Sequence, residues 1–571
     1  MFDMVNYLSE EVKNNAAKKL KAKSLNISNE NFDYQKLRSS FELSVPKNFN
    51  FAFDVLSKTA ADDEKVALIA IEKNGEDYKQ VTYKDLDKSS SRFANALLNL
   101  GIEKKDKVLV ILPRVPEWYS VLFGCAKMGA VAMPGTTLLT AKDIEYRVVT
   151  SKAKAIVVSK LHSDAVEQIK SNCPTLQHII LVREERNGWS SFETLCNMSS
   201  DHIDRSMVPP TKSEDPMLIY FTSGSTAMPK MVERDHAYGL SHLITKTYWQ
   251  DLKKDDIHWT LTDTGWAKAA WGILYPQFLA GCTIVLFNGE GFDLETHLKI
   301  IEKHRVTTFC APPTIYRMMA QADLSHADFS SLRHCLSAGE PLNPEAMKSW
   351  ENSTGCKIYE GYGQTETICI AANFPGMEIR PGSMGKPCPG LTVDIIDDEG
   401  NILGESEIGH IAVKITENYP PGLFKGYFED DDKTKQVFRN GWYYTGDTAK
   451  KDKDEYIWFV GRSDDIISSA GYRISPFEVE SALVEHEAVA ESAVVAKPDN
   501  LRGEIVKAYI ILAKNYVPSE VLIKEIQNFV KKHSAPYKYP REIEFVESLP
   551  KTISGKIRRV ELRERAVKSN N

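Results

Sequence analysis

Nine consecutive residues, Thr222-Ser223-Gly224-Ser225-Thr226-Ala227-Met228-Pro229-Lys230, have the types and spacing to hold a phosphate. Their hydroxyls and backbone N–H groups can surround an anion, and Lys230 adds a positive charge. Gly224 lets the backbone turn sharply and approach a ligand closely. The apolar run Met217 to Phe221 in front reads as a buried strand. A strand that feeds such a loop predicts a nucleotide-phosphate site. The spacing is not that of the common phosphate loop, because Pro229 precedes the lysine and Met231 follows it.

Four more segments combine glycine with groups that recognise nucleotides. Ser337-Ala338-Gly339-Glu340 follows an apolar run, where a loop at a strand's carboxyl end lines a ligand crevice. Glu360-Gly361-Tyr362-Gly363-Gln364-Thr365-Glu366 joins glycines for close approach, an aromatic face able to stack on a purine, and Glu366 as a hard oxygen donor suited to Mg²⁺. Gly441 to Asp447 presents a carboxylate after a turn, fitted to accept hydrogen bonds from a ribose diol. Pro550 to Lys556 carries a lysine on a loop. Taken singly, each has a plain reading: a tight turn, an Asx turn, or a solvated charge.

The elements that position these residues alternate strand and helix. Lys107–Leu112, Ala130–Pro134, Ala155–Ser159, His178–Val182, Thr283–Phe287 and Thr307–Cys310 read as strands, and Pro116–Met128 reads as a helix. This pattern predicts an α/β fold with largely parallel sheets. Past about residue 390 the strands shorten, as in Val393–Gly400 and His410–Lys414, which predicts a β-rich subdomain. Gly461 to Asp465 follows a strand-like Tyr456–Val460 and marks the clearest boundary. The expected domains are therefore 1–461 and 462–571. The second reads as a small α+β unit with a helix starting at Ser475-Pro476, strands at Ala488–Ala496 and Ile505–Leu512, and an amphipathic helix at Ser519–His533. Residues 1 to about 45 are rich in Lys, Asn and Ser and read as one or two surface helices.

With 571 residues, more than one core is needed. The net charge of −7 argues against a general nucleic-acid binder, which requires a basic face. No apolar run is long enough for a membrane-spanning helix. The nine cysteines are scattered without a C-x-x-C pair, so a reduced compartment with buried thiols is expected. The N-terminus carries Asp3, Glu10 and Glu11 and has no arginine before Arg38, and the expected location is cytoplasmic.

The five segments, in this order, resemble the adenylate-forming superfamily over nearly the whole chain from about residue 45. Gly265-Trp266, Trp271-Gly272, Ala311 to Tyr316 and Ala535 to Arg541 look like its medium-chain acyl-CoA synthetase branch. One departure is Ala227, where members usually carry glycine. Alanine is the mildest replacement, and ATP binding is expected to persist with a slightly stiffer loop.

The resemblance implies ATP, Mg²⁺ and coenzyme A, and a two-step reaction. A carboxylate attacks the α-phosphate of ATP to give an acyl-adenylate and pyrophosphate. The thiol of coenzyme A then takes the acyl group and releases AMP. Lys556 is implied as the residue that bridges carboxylate and α-phosphate, with Thr365 beside the carboxylate. Thr222, Ser223, Gly224, Ser225, Thr226 and Lys230 would hold the phosphates. Gly339, Glu340, Glu360, Gly361, Tyr362, Gly363 and Gln364 would line the nucleotide. Asp447 and Arg462 would hold the ribose, and Glu366 the metal. The small C-terminal domain would be mobile, turning at Asp464 so that Ala470, Gly471, Tyr472 and Arg473, with Arg502 and Lys531, meet coenzyme A.

Trp266, Lys268, Trp271 and Ala338 are expected to line the acyl pocket, with Trp259 either pocket or core. A short- to medium-chain acid is expected, and an aromatic acid is the alternative. A stand-alone enzyme that loads a carrier protein, a luciferase-type oxygenase and a nucleotide sensor are the remaining readings. A sensor would be expected to lose Lys556 or Asp447. Dimers are common in the branch, so a homodimer is an open expectation.

Overall fold

The computed structural model describes residues 33–568 apart from 42, 63, 223–227, 341, 343, 471, 500, 536 and 552–555. The chain divides into two compact units. One runs up to Thr392 and takes in Ile415–Gln436; the other joins Val393–Lys414 to everything from Val437 onward.

The first unit is built on two large sheets. The nine-stranded sheet has six adjacent parallel strands: Ile358–Gly363, His334–Ala338, Thr308–Ala311, Ile257–Thr260, Thr283–Phe287 and Val66–Ile71. Antiparallel strands close both edges, Tyr78–Thr82 on one side and Cys369–Ala372 with Lys386–Pro387 on the other. In the seven-stranded sheet, Ser190–Ser191, His178–Val182, Ala155–Ser159, Lys107–Ile111, Val131–Pro134 and Pro216–Thr222 run parallel. Lys230–Asp235 returns antiparallel at its edge. Parallel strands covered on both faces must be apolar throughout. Val-Leu-Val-Ile at 108–111 and Ile-Val-Leu-Phe at 284–287 meet that demand and are buried.

Helices form where caps and apolar stripes allow them. Pro116–Met128 starts with proline at its first position and stops at Gly129, whose φ of 82° ends the helix in the left-handed region. It packs on Tyr83–Asn99, which opens with a Thr82/Asp85 capping box. Tyr34–Ser40 is helical; the rest of the expected N-terminal helical region, before residue 33, lies outside the described residues.

The second unit is two five-stranded sheets. One contains Val393–Ile396, Gly409–Lys414, Phe438–Arg439, Trp442–Lys451 and Ile457–Arg462, all antiparallel. The other pairs Val489–Asp499 with Gly503–Leu512, flanked by Ile467–Ser469, Tyr472–Ile474 and Glu542–Phe545. The helix Pro476–Val484 is capped by Ser475, whose side chain accepts from the Glu478 amide. The helix Glu520–His533 buries Leu522, Ile526 and Val530 against this sheet's core and leaves Val521 exposed. The expected α/β class, with parallel sheets in the large unit, is observed; the β-rich region, expected within the domain 1–461, groups instead with the C-terminal strands and helices in this second unit.

Candidate active site

In the first unit, the strand Pro216–Thr222 delivers Thr222 half-buried at its end, and Lys230 stands directly opposite across the antiparallel pair. The strands on either side of the phosphate-type loop thus pair antiparallel. Ser223, Gly224, Ser225, Thr226 and Ala227 lie outside the described residues. The loop's exit is anchored where Tyr146 Oη donates to the Pro229 carbonyl at 3.0 Å. The Lys230 ammonium lies 4.7 Å from the centroid of the Tyr427 ring.

Two adjacent parallel strands bring the next pair of segments together. Ser337 aligns with Glu360 and Ala338 with Gly361, so both loops leave the sheet at the same carboxyl edge, where open α/β sheets bind ligands. Gly339 adopts a φ of 109°, which a side chain would strain, and Glu340 lies 3.8 Å from Arg317. The glycines of the second segment allow tight packing. A Cβ on Gly361 would strike the Trp249 ring, and one on Gly363 would strike the Ile368 carbonyl and lie 2.5 Å from the Trp271 ring. Tyr362, Gln364 and Thr365 are half-buried, and the Gln364 amide donates to Thr367 Oγ1 at 2.9 Å.

Glu360 is the electrostatic anomaly here. Its Oε1 accepts the Leu342 amide at 2.9 Å, while Oε2 is buried with no partner among the described residues. Burial pushes its carboxyl up to about 8, against a weaker lowering by that amide. Glu366 is buried differently, with Oε1 accepting from the Tyr427 hydroxyl at 2.9 Å. Among the described residues no cluster of three metal-type ligands occurs. Mg²⁺ needs none, because it usually keeps waters and takes one or two carboxylates plus substrate phosphates. The single anchored carboxylate of Glu366 fits that mode.

Trp266 and Lys268 are half-buried, and Lys268 Nζ donates to the Ala338 carbonyl at 3.3 Å, next to Gly339. Trp271 is buried edge-on to Trp249, with ring centroids 6.4 Å apart. Trp259 belongs to the core: it stacks on His297 at 5.3 Å inside the cluster under the nine-stranded sheet. Sequence reasoning missed Trp249, Arg234 and Tyr427. The Gly426-Tyr427 pair was the one available signal for the last.

In the second unit, Asp447 is buried opposite Arg462, whose guanidinium donates to Oδ1 at 3.2 Å. Gly446 turns the strand at a φ of 76°. Asp464 lies 3.6 Å from the same arginine, and its carbonyl accepts from Arg563, which also pairs with Asp465. Ala470 sits in the left-handed region at a φ of 50°, its amide bonded to the Arg502 carbonyl at 2.9 Å, so those two candidates are neighbours. Tyr472 is exposed and stacks on Tyr537 at 4.2 Å. Arg473 pairs with Ser468 in the strand Tyr472–Ile474, and Gly471 lies outside the described residues. Lys531 Nζ lies 4.0 Å from the Tyr539 ring centroid. Lys556 is exposed beside a bridge between Lys551 and Ile557 that closes its loop, of which residues 552–555 lie outside the described set.

Comparison with known proteins decides the family. Residues 57–428 match the model of the AMP-binding enzyme, and residues 478–556 match that of the AMP-binding enzyme C-terminal domain. The chain belongs to the AMP-binding enzyme family. It is 44% identical to human acyl-coenzyme A synthetase ACSM3, mitochondrial, over 94% of its own length and 93% of that protein. It is 47% identical to human ACSM4, mitochondrial, over 91% of each chain. Among solved structures, the anthranilate CoA ligase AuaEII in complex with anthranoyl-AMP superposes with a TM-score of 0.84 at 32% identity, covering 92% of this chain and 99% of the other.

The protein is an acyl-CoA synthetase that activates an acid with ATP and Mg²⁺ and ligates it to coenzyme A. The carrier-loading alternative is not favoured. The cytoplasmic expectation is corrected: the curated relatives are mitochondrial, which points to that compartment.

Proposed function

We propose that this AMP-binding enzyme acts on a short- to medium-chain acid, linear or branched. A chain of roughly four to ten carbons suits a tryptophan-walled pocket, where each methylene is worth about 1–3 kcal/mol of discrimination. The observation that carries this reading is the packing of Trp271 directly against Gly363, with Trp249 behind it. Two indoles beside the nucleotide segment would cap the depth available to an acyl chain. An aromatic acid is the second reading, favoured by the likeness to an anthranilate ligase. Fatty acid metabolism follows from the first reading.

The roles of single residues belong to the same proposal. Lys556 would offset charge as the carboxylate meets the α-phosphate, with Thr365 beside it; catalysis of this kind is positioning and charge stabilisation. Thr222 to Thr226 and Lys230 would hold the phosphates, and Gly339, Glu340 and Glu360 to Gln364 would line the nucleotide. Asp447 and Arg462, which pair with each other, would hold the ribose hydroxyls. Glu366 would hold Mg²⁺, which when bound neutralises phosphate charge. Residues 462–571 would form the mobile domain, with Asp464 as hinge, and Ala470 to Arg473, Arg502 and Lys531 would meet coenzyme A. A homodimer completes the reading, checked by particle mass in solution.

The experiment is pyrophosphate release with ATP and Mg²⁺ across acids from acetate to laurate plus benzoate, with and without coenzyme A. Turnover that peaks at mid-length acids is expected. A peak at acetate, laurate or benzoate overturns the chain-length assignment, and the benzoate case installs the aromatic reading.

A further inference from the structure

Glu366 is gripped by a segment far away in sequence. The Phe424 amide donates to the Glu366 carbonyl at 2.9 Å, and the buried Arg234 guanidinium donates to the same carbonyl at 2.9 Å. A second arm of Arg234 donates to the Gly422 carbonyl, which ties the segment to the strand that leaves the phosphate-type loop. Tyr427 completes the grip by donating to the Glu366 carboxylate.

The same segment is laced to that strand along its length. Tyr427 bridges Val232, the Phe428 amide donates to the Met231 carbonyl at 2.9 Å, and Lys425 pairs with Asp235 at 3.0 Å. Tyr427 is itself fixed, since its amide donates to Thr434 Oγ1 at 2.9 Å and the side chain is buried. One face of its ring meets the Lys230 ammonium. A single side chain therefore touches the lysine at the end of the phosphate-type loop and the carboxylate 136 residues later.

We propose that Tyr427 is a positioning residue that sets the Glu366 carboxylate, and with it the divalent cation, in register with the Lys230 end of the phosphate loop. This rests on the reading of Glu366 as the metal ligand. With Oε1 occupied by the hydroxyl, Oε2 is the oxygen left to face a cation, and the carboxylate cannot rotate freely. Partners that orient a ligating carboxylate typically govern about 10–100-fold in metal affinity.

The test uses the full chain, Mn²⁺ as probe and the non-cleavable analogue α,β-methylene-ATP, with free Mn²⁺ read by electron paramagnetic resonance. Tyr427→Phe removes one oxygen, and its thermal midpoint reports its folding. Its ternary complex is expected to bind Mn²⁺ about tenfold more weakly, while analogue binding without metal stays within twofold. Glu366→Gln is expected to lose at least as much, and the double variant no more than Glu366→Gln.

If Glu366→Gln weakens Mn²⁺ and Tyr427→Phe does not, the positioning role is refuted and the metal reading stands. If neither weakens it, Glu366 is not the ligand and both fall. A measurement on the unaltered protein guards against a variant that does not fold. Hydrogen exchange across residues 422–428 is expected to slow when Mn²⁺ joins the analogue, and an unchanged rate refutes the proposal.

Discussion

Replacing Glu360 by glutamine should make stability less dependent on pH, and the size of the effect follows from burial. The folded protein holds the Glu360 proton up to about pH 8, whereas the unfolded chain releases it near 4.5. Between those values the native state binds more protons than the unfolded state, so stability falls as pH rises. The contribution is fully present below 4.5 and lost as pH passes through about 8. At about 1.4 kcal/mol per pH unit, the loss reaches roughly 5 kcal/mol across that window. Glutamine keeps the acceptor for the Leu342 amide and carries no titrating proton. The variant should therefore gain on the parent as pH rises. The assay is urea unfolding followed by tryptophan fluorescence, which Trp118, Trp249, Trp259, Trp271 and Trp350 make a report on the first unit, at pH values from about 5 to about 8.5. A stability difference that stays flat over this range would show Glu360 ionised throughout and refute the argument from burial.

Three further outcomes can be checked together. Lys556→Ala should lose adenylate formation from acid and ATP by at least about 10²-fold and largely retain thioester formation from supplied acyl-adenylate; equal loss in both half-reactions would remove Lys556 from the first. Asp464→Pro should do the reverse by stiffening the proposed hinge, and unchanged thioester formation in that variant would refute the hinge. Gly363→Ala should destabilise by about 1–3 kcal/mol and slow adenylation, because the new Cβ meets the Ile368 backbone and the Trp271 ring; an unaltered melting temperature would contradict that packing.

Local signals reached a long way into this molecule. Apolar runs bounded by turn residues marked Ala155–Ser159, His178–Val182 and Thr283–Phe287 to the residue, since a strand buried on both faces has little choice of side chain. Pro116–Met128 was also read to the residue, and the structure shows it starting at a proline and stopping at Gly129. Strand order was not legible: Ile257–Thr260 lies between two strands that follow it in the chain, and nothing local encodes that neighbour choice. Nor was it legible that Val393–Lys414 groups with the residues after Val437 while 415–436 joins the first unit.

The site divides the same way. A nucleotide site followed from residue types and order, because phosphate and ribose chemistry demand particular groups in contiguous segments; the reaction class followed from the family resemblance that those segments carry. Which groups hold those segments did not, because the holding is done across the fold. Trp259 could be pocket or core from sequence; stacking on His297 made it core. The grip of Phe424 and Tyr427 on Glu366 exists because the segment 422–428 folds back along the strand leaving the phosphate-type loop. Residue chemistry is a local property that the sequence by itself determines; proximity between distant segments is a property of packing, and the tertiary structure alone decided it.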